Sequence, residues 1–141
     1  MAMTLEEFIL KYNGTPVDFD GAYGPQCVDI FRQYCHDVLG IPHTGACSTT
    51  GGAIDLYNDY AKMPLENKYF TKIKNLKIIK PGDVAIWNKT ATNKYGHVAV
   101  CIGSLNSFLI VFEQNGIKQD GAKIQLRSKE NLLGILRFKK A

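Results

Sequence analysis

Cys27 stands directly after Gly24-Pro25-Gln26, where a stretch rich in Gly, Pro and Asp gives way to a helical pattern. A thiol in the first turn of a helix meets free N–H groups and the positive end of the helix dipole, and both stabilise a thiolate. A cysteine there is also explained as a small buried hydrophobe, which is how Cys35 reads on the same helix. His97 opens the apolar run HVAVCIG after Tyr95-Gly96, as a candidate base or as a satisfied structural histidine. Along that run His97, Ala99 and Cys101 share one strand face. The next run, FLIVFEQN, ends with Glu113 and Asn115 on a common face, and a carboxylate and an amide there are hard to explain as packing. If the two runs pair, Glu113 accepts a hydrogen bond from His97, fixes its tautomer and raises its basicity. Cys27, His97 and Glu113 then form a nucleophile, base and orienter. His36, on a helix face turned to solvent, and His43, in a loop, fit no such set.

The segment DFDGAYGPQCVD, residues 18–29, carries a second pattern. Counted from Asp18, the oxygen donors Asp18, Asp20, Ala22, Gly24 and Asp29 fall at the ligand slots of a twelve-residue calcium loop. The loop departs from the EF-hand form, with Asp at its last slot and Gly21 early. The three aspartates serve equally well as capping and turn acids. Two features favour the cation: carboxylates gathered this closely repel one another, and residues 1–60 hold eight acids against two bases, a balance of −6. Residues 61–141 hold fifteen bases against five acids, a balance of +10, which suits an anionic surface or polymer, nucleic acid included.

The elements that position these residues follow from periodicity. A short helix is predicted over 6–12, with Thr4 and Glu7 as a capping box, and a second over 26–39, where Cys27, Ile30, Phe31, Tyr34, Cys35 and Val38 form one apolar face. A third is predicted over 53–61. From Tyr69 onward the period changes, and after the turn at Pro81-Gly82-Asp83 strands are predicted at 84–87, 97–103, 108–115, 123–127 and 133–138. Helices followed by a meander of strands predict an α+β fold with helices packed on an antiparallel sheet. A chain of 141 residues suits one domain spanning 1–141, with no separate binding domain. No run of apolar residues is long enough to span a membrane. The start, MAMTLEEFILKY, has no basic region and is interrupted by Glu6 and Glu7, so it does not read as a secretory signal. Cys27, Cys35, Cys47 and Cys101 contain no CxxC and no zinc spacing, and without a signal no disulfide is expected.

DFDGAYGPQCVD (18–29), KPGDVAIW (80–87), YGHVAVCIG (95–103) and FEQN (112–115), in this order and spacing, resemble the CHAP domain. This is the cysteine- and histidine-dependent amidohydrolase or peptidase module of phage lysins and bacterial wall hydrolases. The resemblance covers the chain from about Leu5 to Lys139. It implies a papain-like fold, akin to that of the NlpC/P60 hydrolases, and cleavage of amide bonds in peptidoglycan as an N-acetylmuramoyl-L-alanine amidase or an endopeptidase. Cys27 is then the nucleophile, His97 the base, Glu113 its orienter, Asn115 a further polar member and Gln26 a contributor to the oxyanion hole. Calcium-bearing phage members present aspartates at the positions of Asp18, Asp20 and Asp29, with main-chain oxygens at Ala22 and Gly24. Gly116 departs from the Trp that often follows EQN in the family, and Glu113 departs from the second His more common in NlpC/P60 enzymes. The implied partner is peptidoglycan, with teichoic acid-bearing wall as the anionic polymer, and neither nucleic acid nor membrane insertion. A monomer is expected, made in a host cytoplasm and acting on the wall after holin-type release or from a virion. The competing reading is a catalytically silent, calcium-dependent wall-binding module.

Overall fold

The computed structural model describes residues 3–19, 26–42, 52–114 and 121–139. Helix α1 spans Leu5–Tyr12 and starts at the expected capping box: Glu7 N–H donates to Thr4 Oγ1 at 3.1 Å, and Thr4 N–H donates to Glu7 Oε1 at 2.9 Å. Helix α2 spans Cys27–Asp37, so Cys27 is its first residue and Gln26 its cap. The third predicted helix is shorter than expected: α3 covers Asp55–Asn58 and a 3-10 turn covers Tyr60–Lys62. Three elements have no counterpart in the sequence-based expectation, among them a 3-10 turn at Leu76–Ile78. Helix α4, Pro64–Tyr69, begins on a proline, and strand β1, Phe70–Ile73, follows it directly.

The remaining strands are β2 (Val84–Trp87), β3 (His97–Leu105), β4 (Phe108–Glu113), β5 (Lys123–Ser128) and β6 (Leu132–Phe138). They form one antiparallel sheet of six strands in the order β1-β6-β2-β3-β4-β5. The expected meander holds from β2 to β5 and then fails, because β6 returns to lie between β1 and β2. Composition explains the exception. Gly134, Ile135 and Leu136 of β6 are all buried, which demands cover on both faces and hence an interior place. β5 alternates half-buried and exposed residues and lies at an edge. β3 runs on to Leu105, two residues past the expected strand end, with a bulge between Cys101 and Gly103.

Helices α1 and α2 cover one sheet face. Phe8, Ile30 and Phe31 pack there against Phe70, Ile86, Val98, Val100, Phe112 and Leu136, all fully buried. The opposite face carries a second cluster of Ala85, Trp87, Ala99, Cys101, Val111 and Ile135. Cys101 is buried in this second cluster, its thiol directed to Gly103 O at 3.6 Å, and burial pushes it up to about 11. Cys35 is buried and likewise pushed up, as expected of a packing thiol.

Candidate active site

The N-terminus of α2 carries Cys27, which is partly exposed. Helix geometry leaves the first N–H groups without intrahelical partners. Asp29 occupies the third helical position, and its Oδ2 accepts the Gln26 N–H at 2.8 Å. Among the roles weighed for Asp29, capping is therefore present, and its carboxylate is buried. A second clasp comes from Gln114, which is fully buried at the end of β4. Its Nε2 donates to Gln26 O at 2.9 Å and to Val17 O at 2.7 Å, while its Oε1 accepts from Val17 N–H at 2.6 Å. One amide thus ties the entry of α2 to the strand that carries Glu113.

His97 is the first residue of β3 and stands opposite Trp87 in the β2–β3 ladder. The turn before it requires Gly96: its φ is +71°, and a Cβ there would lie 2.5 Å from Trp87 O. The imidazole is 7% exposed, and its Nε2 lies 3.0 Å from Glu113 Oε1. The side chain of Cys27 interacts with the same imidazole and favours its protonated form. An ionised carboxylate only accepts, so Nε2 carries the proton toward Glu113 and Nδ1 is left for the thiol. Burial alone would lower the basicity of His97, but the hydrogen bonds to Cys27 and Glu113 outweigh it and the net shift is upward from 6.5.

Glu113 is fully buried and held by a residue that sequence reasoning missed. Arg127 donates from Nε to Oε1 at 2.7 Å and from Nη2 to Oε2 at 3.0 Å, a bidentate clamp. Burial would raise the carboxyl, yet the hydrogen bonds from His97 and Arg127 overcome it and hold Glu113 at about 2. The guanidinium lies over the Trp87 ring at 5.4 Å, and Trp87 Nε1 donates to Ser128 O at 2.9 Å. Register alone would not reveal this pair. Lys123 stands directly across from Glu113, whereas Arg127 sits across from Leu109 and reaches along the sheet face.

Of the other sequence-derived candidates, Asp20, Ala22, Gly24 and Asn115 lie outside the described residues, as do His43 and Cys47. Asp18 is exposed and His36, also exposed, bonds its neighbour Asp37. Among the described residues no group of three or more His, Cys, Asp or Glu could hold a metal. Asp18 and Asp29 are the described oxygen donors of the candidate calcium loop, and hard carboxylates suit that cation.

A cysteine at a helix start, a histidine at a strand start and a glutamate on the neighbouring strand meet at one end of the sheet. The sequence profile of the CHAP domain matches residues 16–115, a span that includes all three. This chain belongs to the CHAP domain family. The chain is 34% identical over 98 residues to a D-alanyl-L-alanine endopeptidase of Streptococcus phage B30, covering 69% of this chain and 21% of that protein. It is 32% identical over 120 residues to the endolysin PlyTW of Staphylococcus phage Twort, covering 78% of this chain and 23% of that protein. The CHAP chain thus spans less than a quarter of the length of these two relatives. Among solved structures, the wild-type endolysin LysIME-EF1 superposes with a TM-score of 0.72 at 26% identity, over 97% of this chain and 64% of that one. The crystal structure of Ly7917, at 15% identity and a TM-score of 0.67 over 96% of this chain and 62% of that one, shares the fold. The α+β fold expected from the sequence is the one these neighbours show.

Proposed function

We propose that this chain is a thiol-dependent peptidoglycan hydrolase of the endolysin type, with Cys27 as nucleophile, His97 as base and acid, and Glu113 as orienter. The observation that carries the reading is the buried contact of His97 Nε2 with Glu113 Oε1 at 3.0 Å, on an imidazole that Cys27 also favours in its charged form. His97 Nδ1 takes the thiol proton, and Glu113, kept ionised by Arg127, stabilises the imidazolium that forms. The thiolate attacks the amide carbon and a C–S bond forms. The oxyanion is received by the Cys27 main-chain N–H and by Gln26; the resemblance adds Asn115 as a further polar member. Collapse breaks the C–N bond as His97 gives its proton to the leaving amine. Water, deprotonated by the same imidazole, then cleaves the thioester and restores the thiol. The relative from phage B30 favours the endopeptidase branch over the amidase branch for the bond cut.

Calcium is the proposed structural ion of the loop before α2, with Asp18 and Asp29 among its ligands, and its action would be to brace the segment that delivers Cys27. Chelation then lowers the melting temperature and added calcium restores it; a melting curve indifferent to both removes the ion from the reading. The excess of bases in residues 61–141 suits an anionic, teichoic acid-bearing wall. The deciding experiment is turbidity clearing and mass spectrometry of purified peptidoglycan treated with the chain and with Cys27→Ala. The reading expects clearing and one class of new amine end from the first and neither from the second. Equal clearing by Cys27→Ala overturns it.

A further inference from the structure

A cavity of about 300 Å³ opens beside His97, and most of the groups that line it have no part in the reaction above. Trp87, His97 and Arg127 form its inner wall, and Asn88, Glu130 and Asn131 are among the residues of its outer wall; neither Cys27 nor Gln26 lines it. This asymmetry carries direction. In amide cleavage by a thiol the acyl carbon ends on sulfur, and the nitrogen departs with a proton from the imidazole. A cavity walled by the imidazole and not by the thiol therefore lies on the side of the departing amine.

The walls are built before any ligand arrives. Asn88 N–H donates to Asn131 O at 2.8 Å, joining the loop after β2 to the turn before β6. Asn93 Nδ2 donates to Gly96 O at 2.8 Å while its Oδ1 accepts from Tyr95 N–H at 3.1 Å, which locks the same loop onto the turn that delivers His97. The charges are also set. Arg127 is matched by Glu113 through two hydrogen bonds. Glu130 is exposed at the rim and enters no ion pair among the described residues. The remaining polar lining is amide and hydroxyl, chemistry suited to peptide groups and not to an anion.

We propose that this cavity is the leaving-group subsite, that it takes a short uncharged peptide segment on the amine side of the scissile bond, and that Glu130 discriminates against a carboxylate on that segment. The proposal rests on the thiol-hydrolase reading and adds to it which part of the substrate is read and by what. Asn88 Nδ2 and the Asn131 side chain supply the hydrogen bonds, and the new amino end lies at His97.

The test is a titration of the full ¹⁵N-labelled chain with two product-like probes, L-alanyl-L-alanine amide and the free acid L-alanyl-L-alanine. Backbone signals of residues 87–97 and 127–131 shift, and the amide binds about threefold more tightly than the acid, the size of one exposed charge contact. Glu130→Gln brings the two probes to parity. Asn131→Gly, which suits the φ of +66° at that position, weakens both. Shifts confined to other residues, or equal binding of amide and acid by the unaltered chain, overturn the proposal. Peptidoglycan cleavage by the same samples separates the two claims. Cleavage that needs Cys27 with no probe response at the cavity removes the subsite alone, whereas cleavage by Cys27→Ala removes the hydrolase reading and the subsite with it.

Discussion

Two buried carboxylates of the sheet are each gripped by an arginine. Arg127 holds Glu113 with contacts of 2.7 and 3.0 Å, and Arg137 holds Asp83 with contacts of 2.9 and 2.8 Å. Both carboxylates are nearly inaccessible, and both arginines are about a quarter exposed or less. What differs is the third partner. Asp83 Oδ2 also accepts the Lys80 N–H, and Arg137 also donates to Ile78 O, so that clamp closes the turn before β2 on itself. Glu113 has an imidazole instead, and through it the thiol of Cys27. The same ion-pair geometry ends on backbone in one case and on a titratable ring in the other.

Removing the two carboxylates separates these roles most strongly. Glu113→Ala is expected to lower kcat by roughly 10³- to 10⁴-fold, the scale set by loss of a triad orienter. Asp83→Ala is expected to cost about 3 kcal/mol of stability, because it strands a partly buried guanidinium, with kcat per folded molecule unchanged. Urea melts beside turnover on purified peptidoglycan read both, and a turnover loss in Asp83→Ala that matches Glu113→Ala would erase the distinction.

The arginines give a smaller contrast. Arg127→Met leaves Glu113 to His97 alone and removes a cation from the neighbourhood of the imidazole. Activity falls about tenfold through lost positioning, and the alkaline limb of kcat/KM moves to higher pH. Glu113→Gln moves that limb to lower pH, since the imidazolium loses its counter-charge. Arg137→Met moves it in neither direction. A pH–rate series on the three variants checks the signs.

Stability against pH gives a subtler difference. Glu113, held at about 2 against an ordinary 4.5, stabilises the fold above 4.5, and that contribution fades as pH falls toward 2. His97, raised from 6.5, stabilises the fold below 6.5, and its share fades as pH rises through the folded value. The stability gap between the native chain and Glu113→Gln is therefore widest between 4.5 and 6.5, read by denaturant melts.

A third buried carboxylate, Glu66, sharpens the comparison with the least effect on turnover. It is 1% exposed, its Oε2 has no hydrogen-bond partner among the described residues, and burial pushes it up to about 7. A carboxyl raised in the fold loses stabilising influence as pH climbs from 4.5 through 7. Glu66→Gln is expected to flatten stability over that interval with activity unchanged; a slope that survives the substitution would assign it elsewhere.

Much of the frame was legible in the sequence because it rests on local rules. Thr4 and Glu7 cap α1, the Cys27-to-Cys35 spacing makes the buried stripe of α2, and VAIW and HVAVCIG read as strands by apolar continuity. The pairing of His97 with Glu113 was legible for the same reason: two strands joined by a short turn lie antiparallel side by side, so the start of β3 and the end of β4 fall at the same end of the sheet. Strand β1 escaped notice because four residues carry too little period to register, and α4 because six residues after a proline look like a loop. Gln114 was hidden between two more conspicuous polar residues, although alternation in β4 puts it on the helix side with Phe112, where it finds Gln26.

Residue types and their order were enough to determine a thiol at a helix start, a histidine at a strand start and a glutamate one strand away, because capping, periodicity and short turns act within a few residues. Tertiary structure alone decided that β6 lies inside the sheet and that Arg127, instead of Lys123 across the ladder, grips Glu113. It also decided that a polar cavity opens on the imidazole side of the site. Those outcomes depend on sheet order and on how a long side chain crosses the face of a twisted sheet, and neither is set by neighbours in the chain.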